Sequence, residues 1–210
     1  MTYKYPDAVL MIFCKAPIAG QVKTRLIPEL TAEQAMQVHI ELTQRTLRLA
    51  DLSNLCPVQL WCTPSTDHPF FSAAAAQADH VILQQQQGRD LGARMSNAFC
   101  LALVRYSRAL IIGCDCPSLT IQDMEAAIIA LNQENCCVLA PAEDGGYALI
   151  GLNQRHPELF DNMPWGTGLV YEHTRIRLKQ YNLQYHELRQ QWDLDTPEDL
   201  LRYRALTAGK

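Results

Sequence analysis

The run Ala109–Cys114, ALIIGC, is apolar at every position and lies between polar stretches with helical patterning. An uninterrupted apolar strand of this kind belongs in a parallel sheet, where helices cover both faces and no side chain meets water. Shorter or similar runs occur at Ala8–Cys14, Val58–Cys62, Val81–Gln84, Cys136–Ala140, Tyr147–Leu152 and Leu183–Leu188. Helices are expected between them. Thr31 with Gln34 matches a capping box, in which each side chain satisfies a free backbone N–H. Ala35, Val38, Leu42 and Leu49 then repeat as one buried stripe. Further helices are expected over Asp90–Tyr106, from Thr120 to Leu131, over Gly168–Gln180, and from Thr196-Pro197-Glu198 onward, with Thr as cap and Pro at the first position. Strand–helix alternation of this type predicts an α/β protein, a three-layer α/β/α sandwich around a mixed, mostly parallel sheet.

The chain has 210 residues, 48% of them hydrophobic and 19% charged, enough apolar material for one core spanning residues 1–210. With 18 Lys plus Arg against 22 Asp plus Glu, the net charge is -4, which argues against a nucleic-acid partner. The apolar run Ala8–Cys14 is about half a membrane span and carries no cleavage pattern after it. A cytoplasmic protein without a membrane partner is therefore expected. The eight cysteines, Cys14, Cys56, Cys62, Cys100, Cys114, Cys116, Cys136 and Cys137, form no C-x-x-C pair, and most lie in apolar runs. Buried, reduced thiols are the expectation, because Cys114-x-Cys116 has no His at zinc-ligand spacing.

In an open α/β sheet, ligands bind beyond the carboxyl ends of the strands. Four segments there carry chemistry. Lys15-Ala16-Pro17-Ile18-Ala19-Gly20-Gln21-Val22-Lys23-Thr24-Arg25-Leu26 follows the first strand. Gly20 allows close backbone approach, and Lys15, Lys23 and Arg25 offer cations to a phosphate, although Walker A spacing is absent. Gly113-Cys114-Asp115-Cys116-Pro117-Ser118-Leu119 follows the central strand, and an Asp there is costly unless paired or bound to a metal. Asp144-Gly145-Gly146-Tyr147 reads as a tight turn or as a glycine floor under a ligand, with Asp144 available as a base. Trp192-Asp193-Leu194-Asp195-Thr196-Pro197-Glu198-Asp199-Leu200 puts Glu198 and Asp199 at a helix start, where capping explains them. Asp193 and Asp195 precede that cap, and either one beside Asp115 would complete a two-carboxylate Mg²⁺ site.

Together, in order, K-x-P-x-x-G-x-V-K-T-R-L, G-x-D-x-P-x-L, D-G-G-Y-x-L-I-G-L and W-D-x-D-T-P-E-D-L resemble the nucleotide-diphospho-sugar transferase superfamily, from about Ala8 to Leu201. The chain is most similar to its small bacterial glycosyltransferase-like group associated with radical-SAM/selenodomain proteins and arsenosugar biosynthesis. A fifth stretch, Gln87-Gly88-Arg89-Asp90-Leu91-Gly92-Ala93-Arg94-Met95, resembles the family's Q-x-G-D-L-G-x-R-M segment near the nucleotide base, with Arg89 inserted.

The resemblance implies a Rossmann-like GT-A fold. It implies a nucleotide site of Lys15, Pro17, Gly20, Lys23, Thr24, Arg25, Gly88, Asp90 and Gly92, with Lys23 and Arg25 on the phosphates. Asp115 and Asp195 would hold Mg²⁺ or Mn²⁺. Gly145, Gly146, Tyr147, Trp165 and Thr167 would line the sugar or acceptor side. The implied catalytic set is Asp115, Lys23, Arg25 and Asp144. The expected activity is transfer of a sugar from a nucleotide-activated donor to a small-molecule acceptor.

The alternative is nucleotidyl transfer from a nucleoside triphosphate, as in the guanylyltransferases and cytidylyltransferases of the same superfamily. Pro28-Glu29 stands where many sugar nucleotidyltransferases place Pro-Lys, which favours glycosyl transfer. A non-catalytic nucleotide-binding protein is the third reading, disfavoured by retention of both Asp115 and Asp195. Oligomeric state, a homodimer included, is left open. Without metal, Asp115 and Asp195 are expected to repel, raising the pKa of one of them.

Overall fold

The computed structural model describes residues 2–27, 29–78 and 80–208. Pro28, the first residue of the Pro28-Glu29 pair, lies outside the described residues. Strands β1 (Ala8–Lys15), β2 (Val58–Thr63), β3 (Ile82–Gln85), β4 (Arg108–Gly113), β5 (Cys136–Pro141), β6 (Tyr147–Leu152) and β7 (Gln184–Glu187) join in one sheet of order β3-β2-β1-β4-β6-β5-β7. The β1–β2, β1–β4, β2–β3 and β5–β7 pairs are parallel. β6 runs antiparallel to both β4 and β5, which makes the sheet mixed as expected.

Alternation along β1 shows how two cores arise from one strand. Ala8, Leu10, Ile12 and Cys14 face helices α1 (Ala32–Ser53), α2 (Pro69–Ala75) and α4 (Ile121–Ala130). Val9 and Met11 face α3 (Leu91–Ala102) and α5 (Val170–Gln180). Because successive side chains point to opposite faces, a continuous apolar strand feeds both layers. A third, smaller cluster joins Leu26 and Leu42 to Trp192, Leu194 and Leu200, seating α6 (Pro197–Ala208) against α1.

The helix boundaries follow local chemistry. The Thr31–Gln34 capping box forms in full: Gln34 N–H donates to Thr31 Oγ1 at 3.2 Å and Thr31 N–H to Gln34 Oε1 at 2.8 Å. Asp90 caps α3 by accepting from Ala93 N–H at 2.8 Å. That helix ends at Ala102, four residues short of the expected Tyr106, and Leu103–Tyr106 turn into β4. α2 was not among the expected helices; Pro69 at its first turn and buried Phe71 and Ala74 fix it. β7 is two residues shorter than expected and β3 is displaced by one residue; both are only partly buried, as edge strands are. Among the described residues, no helix is long and apolar enough to cross a membrane.

Candidate active site

The loop after β1 is tied down at both ends. Lys15 Nζ donates to the Gln21 carbonyl at 2.8 Å, so this lysine closes the loop. Leu26, fully buried, anchors the far end. Between them Lys23 holds a left-handed backbone, φ 47°, unusual for a non-glycine residue and tolerated where surroundings over-determine it. That turn sends its side chain inward to 5% exposure. Lys23 Nζ donates to Asp115 Oδ2 at 3.1 Å and to Asp195 Oδ1 at 2.9 Å. Arg25 stays exposed and reaches Asp195 Oδ2 at 3.4 Å. Asp115 leaves the end of β4 with its carbonyl accepting from Leu194 N–H at 2.9 Å. Asp195 is held from the other side: its N–H, and that of Thr196, donate to Asp199 Oδ2 at 3.1 and 2.8 Å. Residues far apart in sequence thus meet beyond the strand ends.

Electrostatics here follow from one buried ammonium paired with two carboxylates, with a third, Asp193, nearby. Burial opposes the charged form of Asp115, but the Lys23 charge and hydrogen bond outweigh it and hold the pKa below its usual value. Burial likewise opposes the charge on Lys23, and Asp115 and Asp195 reverse that, raising its pKa. The expected rise does not fall on Asp115. It falls on Asp193, pushed up to about 8 by burial and then by the charges of Asp115, Asp144 and Asp195. The pairing with Lys23, invisible in the sequence, relocates the repulsion.

Hard carboxylate oxygens suit Mg²⁺ or Mn²⁺. The Lys23 ammonium already occupies a cation's place between Asp115 and Asp195, and Asp193 is short of positive charge. The residues therefore fit a divalent ion held by Asp115 and Asp195.

Beside this cluster opens a cavity of about 400 Å³. Phe13, Met95, Ile111 and Ile150 make an apolar floor; Arg25, Asp144, Asp193 and Asp195 make a polar rim. Gly146, Tyr147, Trp165 and Thr167 line it as well. Asp144 Oδ1 accepts from Gly146 N–H at 2.8 Å, which fixes the turn ahead of β6. Gly145 has φ +84° and packs on Gly168 so closely that a Cβ would lie 2.1 Å from the Gly168 carbonyl oxygen. Gly92 plays the same part for α3: a Cβ there would meet Trp165 Nε1 and the Phe160 carbonyl, each at 2.6 Å. These contacts seat Trp165 and Thr167 over the cavity.

Of the remaining residues singled out in the sequence, Pro17 is buried and Gly20 and Thr24 are exposed in the basic loop, while Gly88 and Asp90 form the entry to α3. None of these five lines the cavity. His39 was missed. Its Nε2 lies 2.8 Å from the Lys15 carbonyl, at 5% exposure. The available signal was a polar residue four positions after Ala35 in the buried stripe of α1.

No curated protein matches this chain. Among solved structures, a candidate nucleotide-diphospho-sugar transferase from Desulfovibrio desulfuricans G20 is 28% identical, with TM-score 0.83 over 95% of this chain and 87% of its own. CMP:2-keto-3-deoxy-manno-octonic acid synthetase complexed with CTP aligns at TM-score 0.57 and 12% identity, covering 97% of this chain and 99% of its own. The 4-diphosphocytidyl-2C-methyl-D-erythritol synthase of Anaerococcus prevotii DSM 20548 aligns at 0.66 and 9% identity, again over 97% and 99%. The last two share the fold alone. The fold is thus the Rossmann-like one of nucleotide-sugar transferases. Residues 46–167 match the profile of an uncharacterized protein family conserved in bacteria, DUF2064, and to that family this chain belongs.

Proposed function

We propose that this protein is a metal-dependent glycosyltransferase of the cytoplasm, moving a sugar from a nucleotide-activated donor to a small-molecule acceptor. The observation that carries the reading is the Lys23 bridge between Asp115 and Asp195, with Asp195 also lining the 400 Å³ cavity together with Asp144 and Trp165. The likeness to a candidate nucleotide-diphospho-sugar transferase supports it. A divalent ion held by Asp115 and Asp195 would act as a Lewis acid toward the departing diphosphate. Arg25, exposed at the rim, meets the diphosphate from solvent, and Lys23 adds a second positive charge behind it. The sugar lies in the cavity between Tyr147 and Trp165. Asp144 takes the proton from the acceptor hydroxyl as its oxygen bonds to the anomeric carbon. The anomeric carbon–phosphate oxygen bond breaks, and the nucleoside diphosphate leaves with the electron pair.

Nucleotidyl transfer is the second reading, favoured by the shared fold with a synthetase complexed with CTP. The test is incubation with a panel of nucleotide sugars and nucleoside triphosphates plus Mg²⁺ or Mn²⁺. Release of nucleoside diphosphate is the expected result. Pyrophosphate release establishes the second reading, and tight nucleotide binding with neither product overturns both.

A further inference from the structure

On the face of the sheet away from the cavity, three side chains bring soft donor atoms to one point. Cys14, Cys114 and His39 are 1%, 5% and 5% exposed. Their sulfur and ring nitrogen atoms all lie within 4.8 Å of one another. Cys14 Sγ is 3.7 Å from His39 Nε2.

The sheet builds this arrangement. β1 and β4 pair in parallel with Phe13 opposite Gly113, so the next residues, Cys14 and Cys114, are lateral neighbours at a strand spacing of about 4.8 Å. Both thiols belong to the core beneath α1, and α1 lowers His39 onto them. Two oxygens adjoin the same point: the Lys15 carbonyl, 2.8 Å from His39 Nε2, and Thr43 Oγ1, 3.5 Å from Cys14 Sγ.

We propose that Cys14, Cys114 and His39 form a closed site for a thiophilic d¹⁰ cation, zinc(II) or copper(I). Two sulfurs and an imidazole select such ions over Mg²⁺ or Mn²⁺, which prefer oxygen donors. The site is therefore chemically separate from Asp115 and Asp195, and it faces the opposite core. Binding releases the two thiol protons. His39 gives up the hydrogen bond that its Nε2–H donates to the Lys15 carbonyl and takes the tautomer with its hydrogen on Nδ1, which leaves the Nε2 lone pair for the ion; no electron is transferred. Lys15 O or Thr43 Oγ1 is at hand as a fourth donor for zinc, and copper(I) is satisfied by three. An ion here joins the ends of β1 and β4 one residue before Lys15 and one before Asp115.

The test needs no activity measurement. Because the site is buried, the chain is loaded during refolding of the reduced protein, once with Zn²⁺ and once, without oxygen, with Cu⁺. Bound metal is then measured by elemental analysis after dialysis. A single equivalent per chain is expected, with a rise in thermal stability, and the arm that fills names the ion. Cobalt(II) loading should give a thiolate-to-metal charge-transfer band. Cys14→Ser and Cys114→Ser should each abolish the equivalent, and His39→Gln should weaken it about tenfold or more. Cys56→Ala and Cys136→Ala should retain it. Failure of the folded wild-type protein to take up either ion overturns the proposal. So does an equivalent that survives in folded Cys14→Ser or Cys114→Ser, or one that is lost with the partly exposed Cys100 in Cys100→Ser.

Discussion

Lys23 Nζ lies 2.9 Å from Asp195 Oδ1, across 172 positions of sequence, so one ammonium joins the loop after β1 to the segment before α6. Removing it leaves Asp115 and Asp195 facing each other with only the exposed Arg25 at Asp195 to offset them. Lys23→Met is expected to lose about 1–3 kcal/mol of stability in urea unfolding, the range for polar groups left without their hydrogen-bond partner. Mn²⁺ should then raise the melting temperature of Lys23→Met more than that of the wild type. An equal rise in both would mean that the ammonium and the divalent ion do not share a place.

Asp115→Asn and Asp195→Asn should each abolish the Mn²⁺-dependent gain in nucleotide affinity, read by calorimetry with and without the ion. Neither should stabilise the fold, since each gives up a contact with Lys23. Asp193→Asn should do so at neutral pH in the absence of divalent ions, because it removes a carboxyl that burial, Asp115 and Asp144 push up to about 8 and that must take up a proton on folding. Full retention of the Mn²⁺ effect in Asp115→Asn would leave that residue as a turn former only.

Gly92→Ala tests the contact between α3 and the Trp165 segment. The added methyl would overlap Trp165 Nε1 and the Phe160 carbonyl, and the helix backbone cannot yield without moving α3. A loss of about 1–3 kcal/mol is expected, in line with overpacking elsewhere. Trp165 emission should shift as the indole is displaced toward solvent. An unchanged spectrum with full stability would show that the seat is looser than the geometry indicates.

The acid limb of stability should depend on Asp123. Burial opposes its charge, but Arg189 and Thr120 together outweigh that and lower the pKa. Arg189 Nε donates to Asp123 Oδ1 at 2.8 Å and Nη2 to Oδ2 at 2.6 Å. A carboxyl lowered on folding contributes stability above its unfolded pKa of about 3.9, and that contribution is lost as pH falls through the folded value. Asp123→Asn should thus destabilise the protein at neutral pH and flatten the decline of stability below about pH 4. Urea titrations at neutral and acidic pH check the slope, and parallel slopes in both proteins would remove Asp123 from the account.

Much of the sheet was legible because its strands are short, apolar and separated by helices with explicit caps. Thr31, Asp90 and Thr120 mark helix starts by side chains whose chemistry acts within three residues. The four segments around the site could be found for a related reason, since each directly follows or precedes an element. What stayed hidden depends on contacts between distant segments. No pattern near Lys23 reveals that its side chain turns inward, nor does Asp193 reveal that its neighbours are Asp115 and Asp144. Cys14 and His39 lie 25 positions apart and meet only because α1 folds back over β1. The strand direction of β6 was equally local in origin yet unreadable, since an apolar run does not state which way it travels.

The hydrogen bond from Leu194 N–H to the Asp115 carbonyl, at 2.9 Å, has a consequence for synthesis of the chain. The basic loop, the central strand and the β5–β6 turn all leave the ribosome before residue 192. Until Trp192 and Leu194 follow, Lys23 has one carboxylate instead of two, and Leu26 lacks half of its packing partners. A chain released before Asp193 would therefore have the strands and most of the cavity lining without two of the carboxylates at its rim. Competence for a charged ligand waits on the segment from Trp192 to Asp195.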